Sequence, residues 1–222
     1  MPDVKTYWEH EDFGVEYQMG PQKHRLYILD KLAELEVKTL LDLGCGTGPI
    51  YGLITSEQYA GRWDNIIRYR GSDYSWRMIE TCKKLFPYGD FKVDDARALH
   101  EPDDCYDAVL IMHCLDHLDD YASAIKEAVR VSKKYIILCL WNPFVNEGTV
   151  LNNKNEYGKQ KDAEGNLLPG EEPWEDTHLQ YYSKEVLIKE FDKYRLEDVD
   201  FNDSEECNDP GRHNIVWILK KP

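Results

Sequence analysis

Leu40-Leu41-Asp42-Leu43-Gly44-Cys45-Gly46-Thr47-Gly48 reads as a short buried strand that stops in a glycine-rich turn. Residues 39–43 form a β-branched and leucine run of the length a parallel strand needs, and the helix expected after the turn carries Ile50, Leu53 and Ile54. Glycines at 44, 46 and 48 permit positive φ and let the backbone approach a ligand where a Cβ would collide. A glycine triplet alone is equally a plain strand-to-helix turn, so its meaning depends on the rest of the chain.

Downstream the alternation of strand and helix continues. Residues 66–72 read as a strand, 75–86 as a helix opened by Ser75, 91–93 as a short strand and 108–112 as a strongly apolar strand. Asp119 or Asp120 caps a helix through Ala124, Ile125, Ala128 and Val129, and 135–141 is the next strand. A helix over 183–192 and strands near 196–201 and 214–219 complete the chain. Upstream, Leu26, Leu29, Leu32, Ala33 and Leu35 recur at helical spacing behind a polar and aromatic segment. Such alternation predicts an α/β fold, a doubly wound sheet joined by right-handed crossovers, with ligands at the carboxyl ends of the strands. One domain is expected over 1–222: an N-terminal helical cap (1–37), a core (38–141), an insertion (142–180) and a C-terminal helix and strand pair (181–222). The insertion is polar, and its place after a strand's carboxyl end favours a lid over a surface loop.

Asp73 ends the second strand, 25 positions beyond Gly48, where a carboxylate accepts hydrogen bonds from both ribose hydroxyls of a nucleoside. That spacing exceeds the usual roughly 20, and the polar segment 57–65 absorbs the difference. Asp73 also suits a helix N-cap, a role compatible with the first.

Composition narrows the partners. Acidic residues outnumber basic ones 42 to 27, a formal net charge of -15, which repels polyphosphates and makes direct nucleic-acid binding unexpected. The pairs Lys83, Lys84 and Lys133, Lys134 are expected at helix ends, where cations are favoured. Six scattered cysteines without a Cys-x-x-Cys pair, and no signal peptide, point to reduced thiols in a cytoplasm. The longest apolar run, 135–141, is far short of the roughly 20 residues of a membrane helix.

Taken together, these motifs resemble the class I, Rossmann-like S-adenosylmethionine-dependent methyltransferases over roughly residues 40–140. Residues 41–48 are similar to that family's first motif, and Asp73-Tyr74-Ser75 with Met78 to the segment after its second strand. Asp95-Ala96 with Leu99 resembles the adenine-binding segment, and Tyr106-Asp107-Ala108-Val109 the start of the fourth strand. His117-Leu118-Asp119 resembles the segment after the fourth strand, and Glu127-Ala128-Val129-Arg130-Val131 the next helix. The resemblance implies a mostly parallel seven-stranded sheet with an antiparallel C-terminal strand and S-adenosylmethionine as cofactor. It implies that Gly44, Cys45, Gly46, Gly48 and Met112 border the cofactor and that Asp42 supports its ammonium. It further implies that Asp73 holds the ribose, that Tyr74 packs against adenine, that Met78 borders the cofactor, and that Asp95 and Ala96 read the adenine edge. Ser132-Lys133-Lys134 departs from the family's Pro-Gly-Gly turn.

Methyl transfer from a sulfonium asks the protein to orient the acceptor and exclude water, and a hydroxyl or protonated amine acceptor also wants a base. His117, His113 and His178 are the candidates, because imidazole titrates near neutral pH. A small-molecule acceptor pocket is expected from Tyr7, Trp8 and Tyr17 of the cap and Phe144, Trp174 and Tyr181 of the lid region. No metal is expected: His113, Cys114, Asp116 and His117 straddle a turn without zinc spacing. Trp141-Asn142-Pro143-Phe144 resembles an amino-methyltransferase motif but sits after the wrong strand. A cofactor-binding protein without turnover, a protein or RNA methyltransferase needing a partner, and a nicotinamide dehydrogenase are the rival readings.

Overall fold

The computed structural model describes residues 20–118, 120–141, 150–152, 178–180, 184–191, 193–202 and 213–222. Helix α1 (Lys23–Glu34) leads into β1 (Thr39–Leu43), and α2 (Pro49–Ile54) into β2 (Arg68–Asp73). Next come α3 (Trp76–Leu85), β3 (Phe91–Val93), β4 (Tyr106–Met112), α4 (Tyr121–Val131) and β5 (Ser132–Trp141). Short strands β6 (Val150–Asn152) and β7 (His178–Gln180) precede α5 (Lys184–Lys189), β8 (Arg195–Asn202) and β9 (His213–Lys220).

Seven strands form one sheet in the order β3-β2-β1-β4-β5-β9-β8, the expected doubly wound arrangement. Pairs from β3 to β5 are parallel, and β9 runs antiparallel to both β5 and β8. The order reverses between β1 and β4, so the carboxyl ends of these two strands open the crevice where such sheets take ligands.

Both faces of the sheet are covered, which is why β1 and β4 are apolar on both sides, apart from Asp42 and Asp107, and do not alternate. On one side Leu40, Leu110, Ile137 and Val216 pack against Ile28, Leu29 and Leu32 of α1 and Ile79 of α3. On the other, Leu41, Val109, Leu138 and Trp217 meet Ile125 and Ala128 of α4 and Leu187 and Phe191.

Several boundaries differ from the sequence reading. α1 is rotated: its buried residues are His24, Arg25, Ile28, Leu29 and Leu32, whereas Leu26, Ala33 and Leu35 pack at the margin. Of the two candidate caps, Asp120 accepts the Ser123 amide at 3.0 Å and opens α4. Lys83 and Lys84 occupy the last turn of α3 as expected. Lys133 and Lys134 do not end a helix; α4 stops at Val131 and β5 begins at Ser132. The stretch 142–180 is not wholly without regular structure, because β6 and β7 pair antiparallel within it. Its remaining residues lie outside those described, as does the cap before residue 20. No helix among the described residues is long and apolar enough to cross a membrane.

Two polar anchors hold the frame. At the amino end, Asp107 Oδ2 accepts the amides of Lys38 and Thr39 at 3.1 Å each, and Thr39 Oγ1 accepts that of Asp107 at 2.7 Å. Near β3, Arg130 donates to the carbonyls of Leu99 and Glu101 at 3.1 and 2.7 Å, while Glu127 accepts the Leu99 amide at 2.7 Å and pairs with Arg130. This explains the Glu-x-x-Arg spacing: one turn of helix presents both charges to the loop 99–103. Arg130→Ala should lower unfolding free energy by about 2 kcal/mol, since it strips charged hydrogen bonds from backbone carbonyls and leaves Glu127 uncompensated. Urea denaturation of both proteins checks this.

Candidate functional site

The turn after β1 is built from backbone in the left-handed region, with φ of 76° at Gly44, 54° at Gly46 and 81° at Gly48. At Gly44 the demand is also spatial, because a Cβ there would lie 2.5 Å from Cys114 Sγ. Pro49 then occupies the first turn of α2, where its missing N–H costs nothing.

Asp73 joins this turn to the end of β2. Its Oδ2 accepts the Gly46 amide at 2.9 Å and its Oδ1 the Ser75 amide at 2.8 Å. The Ser72 carbonyl takes the amides of Gly44 and Cys45 at 2.8 and 3.0 Å, and the Asp73 carbonyl takes that of Asp94 at 3.0 Å. The glycine turn, the second-strand acid and the start of the segment after β3 therefore meet at one place. Burial pushes the Asp73 carboxyl up, against the pull of the Ser75, Gly46 and Tyr74 amides. Ser75, two residues on, caps α3 by accepting the Met78 amide at 3.3 Å.

Beneath the turn lies Asp42, fully buried on β1. Tyr69 donates to its Oδ2 at 2.6 Å, and Oδ1 has no hydrogen-bond partner among the described residues. Burial pushes this carboxyl up to about 7; Asp73 adds to the rise, while Tyr69 and the nearby Arg25 charge oppose it. A buried acceptor left open is costly unless something completes it, so the atom marks a place for a cation or donor. A ligand ammonium fits that requirement.

The other sites expected for the cofactor divide. Ala96 is buried with Leu99 against the α4 side of the sheet. Tyr74 is exposed, with the Arg97 guanidinium 5.9 Å from its ring centroid, so its ring is accessible to an aromatic base. Asp95 does not present a free carboxylate: Arg97 grips it through Nε and Nη2 at 2.9 Å each, and the Arg97 amide adds a third bond at 2.9 Å. Met78, Met112 and Cys45 are buried side chains. Cys45 turns its sulfur away from the crevice, towards Gly71 under β2, so only its backbone borders the turn. Cys82 supports the same turn from α3, donating its thiol to the Gly46 carbonyl at 3.1 Å.

Of the candidate bases, His113 comes directly after β4 with φ of 52°, a left-handed conformation rare outside glycine. Its Nε2 lies 2.6 Å from Asn214 Oδ1. His117 ends a 3-10 turn, Leu115–His117, and β7, which carries His178, lies against that turn. The structure thus brings the segments of His117 and His178 together at the carboxyl end of β4. The acceptor-pocket candidates Tyr7, Trp8, Tyr17, Phe144, Trp174 and Tyr181 lie outside the described residues.

Sequence reading missed His24, Arg25, Arg97 and Asn214. The signal for the first two was available: polar residues at 24 and 25 continue the buried stripe Ile28, Leu29, Leu32 at helical spacing.

Residues 41–139 match the model of a family described as the methyltransferase domain. The chain is 31% identical over 114 residues to the ubiquinone/menaquinone biosynthesis C-methyltransferase of Desulfotalea psychrophila, covering 50% of this chain and 44% of that one. It is also 31% identical over 105 residues to ajmaline N-methyltransferase of Rauvolfia serpentina, covering 45% of this chain and 34% of that one. The chain therefore spans less than half the length of these relatives. The fold resembles magnesium protoporphyrin IX methyltransferase of Synechocystis, solved with bound SAH, at a TM-score of 0.64 and 17% identity over 99% of this chain and 98% of that one. It also resembles the YcgJ protein of a Bacillus species, at a TM-score of 0.62 and 16% identity over 90% and 100% of the two chains.

Removing the Asp73 carboxylate should cost S-adenosylhomocysteine affinity on the order of 10- to 100-fold, because the glycine turn loses the charged acceptor of its Gly46 amide. Calorimetry on Asp73→Ala checks this, and affinity within a factor of about two of the parent would dismiss the assignment.

Proposed function

We propose that this chain, whose residues 41–139 are a class I S-adenosylmethionine-dependent methyltransferase domain, catalyses methyl transfer to a small-molecule acceptor held at the carboxyl ends of β4 and β5. The observation that carries the cofactor half of this reading is the open Oδ1 of buried Asp42, at the foot of a glycine turn that Asp73 holds in place. When bound, S-adenosylmethionine supplies an electrophilic methyl group on its sulfonium. Every other contribution belongs to the protein.

Asp42 meets the positive end of the methionine moiety, directly or through water. Asp73 has two oxygens and roughly four acceptor positions; the amides of Gly46, Ser75 and Tyr74 draw on this carboxylate, and its remaining capacity serves the ribose hydroxyls. Tyr74 offers its ring to adenine, and Ala96 its backbone to the adenine edge. The Arg97 pair on Asp95 makes this carboxylate a fixed wall of the adenine site, so adenine recognition falls to backbone groups.

The chemical step needs an acceptor atom in line with the methyl and a dry environment, a matter of position more than of covalent help. His117 is the best-placed base: it is half-buried at the carboxyl end of β4, in the turn that β7 covers. His178 lies on β7, the strand that contacts that turn. Relatives named for quinone biosynthesis and for ajmaline methylation support a small organic acceptor, and the net charge of -15 argues against a polyanionic one.

Incubating the protein with isotopically labelled S-adenosylmethionine and a metabolite extract tests the reading. The expected result is a labelled small molecule. Labelled protein or RNA as the only product, or no binding of S-adenosylhomocysteine at high micromolar concentration, would overturn it.

Asp42 gives the cofactor site a pH dependence. Its folded value of about 7 lies above the ordinary 3.8, so the folded protein holds a proton that the unfolded chain has released. Stability from this group is full below the ordinary value and is lost as pH rises towards 7. A bound ammonium favours the carboxylate, so cofactor affinity should climb between about pH 6 and 7.5. In Asp42→Asn the climb should vanish and affinity should stay low, while stability near neutral pH rises. Calorimetry and thermal melts across that range decide it.

A further inference from the structure

We infer that His24, His113 and Cys139 form a binding site for one divalent transition-metal ion of borderline softness, with zinc the expected occupant. Each offers one donor atom, and the three donor atoms lie within 4.8 Å of one another. They come from three separate elements: His24 from α1, His113 from the residue after β4, and Cys139 from β5. This inference is independent of the methyl-transfer reading.

The spacing matches coordination as well as packing. A tetrahedral ion with bonds of about 2.3 Å to sulfur and 2.0 Å to nitrogen sets those two donors about 3.5 Å apart. Cys139 Sγ and His113 Nε2 stand 3.4 Å apart. The His24 and His113 rings meet edge to face, with centroids 5.4 Å apart. Asn214 Oδ1 lies 2.6 Å from the same Nε2, a hydrogen bond that metal binding at this nitrogen would replace. Two imidazoles and a thiol select zinc, cobalt or copper over magnesium or calcium, which want oxygen.

Backbone geometry supports a built site. His113 is held at φ 52° while its amide donates to the Cys139 carbonyl at 2.8 Å, so the left-handed turn fixes the imidazole against the thiol. His24 and Cys139 are buried and His113 is half-buried, giving two protected ligands and one approach from the crevice. A metal there pins α1 to the carboxyl edge of the sheet. Binding requires the thiolate, so it releases a proton.

The test uses tag-free full-length protein, dialysed against zinc and then against metal-free buffer. The expected outcome is about one zinc per chain, and a thiolate-to-cobalt charge-transfer band when cobalt replaces it. Cys139→Ser and His24→Gln should reduce retained zinc at least about tenfold, with circular dichroism and thermal melts confirming that each variant is folded. Background zinc in the parent, or retention by Cys139→Ser equal to the parent's, overturns the proposal. Should a variant fail to fold, the cobalt spectrum of the parent decides alone: the band supports the site and its absence overturns it.

Discussion

The Asp73 carboxylate is the constraint on which the crevice depends. It spans from the end of β2 to the Gly46 amide, and by accepting the Ser75 amide it also sets where α3 begins. Without an acceptor at that point the turn after β1 would have a buried N–H to satisfy elsewhere, and three closely spaced glycines impose little conformation of their own. The side chain therefore supplies the order that the glycine backbone lacks. Cys82 does the same from α3, through the Gly46 carbonyl.

The legible part of the fold was the part dictated by solvent exclusion. β1 and β4 are covered on both faces, so their apolar runs needed no tertiary knowledge to be recognised. Caps were legible too: Ser75 and Asp120 are side-chain acceptors at the positions where helices begin. What escaped was rotation and pairing. Leu26 and Leu35 have the right spacing for a buried stripe, yet α1 turns His24 and Arg25 inward, because the stripe it buries faces the polar carboxyl edge at one end and the sheet interior at the other. The Arg97 grip on Asp95 was equally hidden, since a local ion pair two residues apart leaves no periodic trace. Lys133 and Lys134 were misplaced because α4 passes into β5 without a connecting turn.

The two ends of the sheet use polar groups for opposite purposes. At the amino end Asp107 and Thr39 exchange hydrogen bonds across β1 and β4, and each of those acceptors is answered by a backbone amide. At the carboxyl end the groups are not all answered. Asp42 Oδ1 has no partner among the described residues, His113 occupies a strained conformation, and Gly44 abuts Cys114 so closely that no side chain fits. Answered polar groups thus gather at the amino end of the sheet, and polar capacity is held in reserve at the carboxyl end, where sheets of this kind take ligands.

Electrostatics explains why the reserve takes the form of carboxylates. Moving a charge into a dry site is unfavourable unless an opposite charge arrives with it, and Asp42 answers by holding a proton up to about pH 7. An anionic ligand would gain nothing from such a group. A ligand carrying both an ammonium and a sulfonium changes the balance, because its positive charge and the carboxylate each supply what the other loses to desolvation. On the proposed reading, methyl transfer would remove the sulfonium charge and leave the ammonium beside Asp42. Such a contact would contribute about equally before and after the reaction, so it would hold the ligand in register and leave the change in reactivity to the acceptor side.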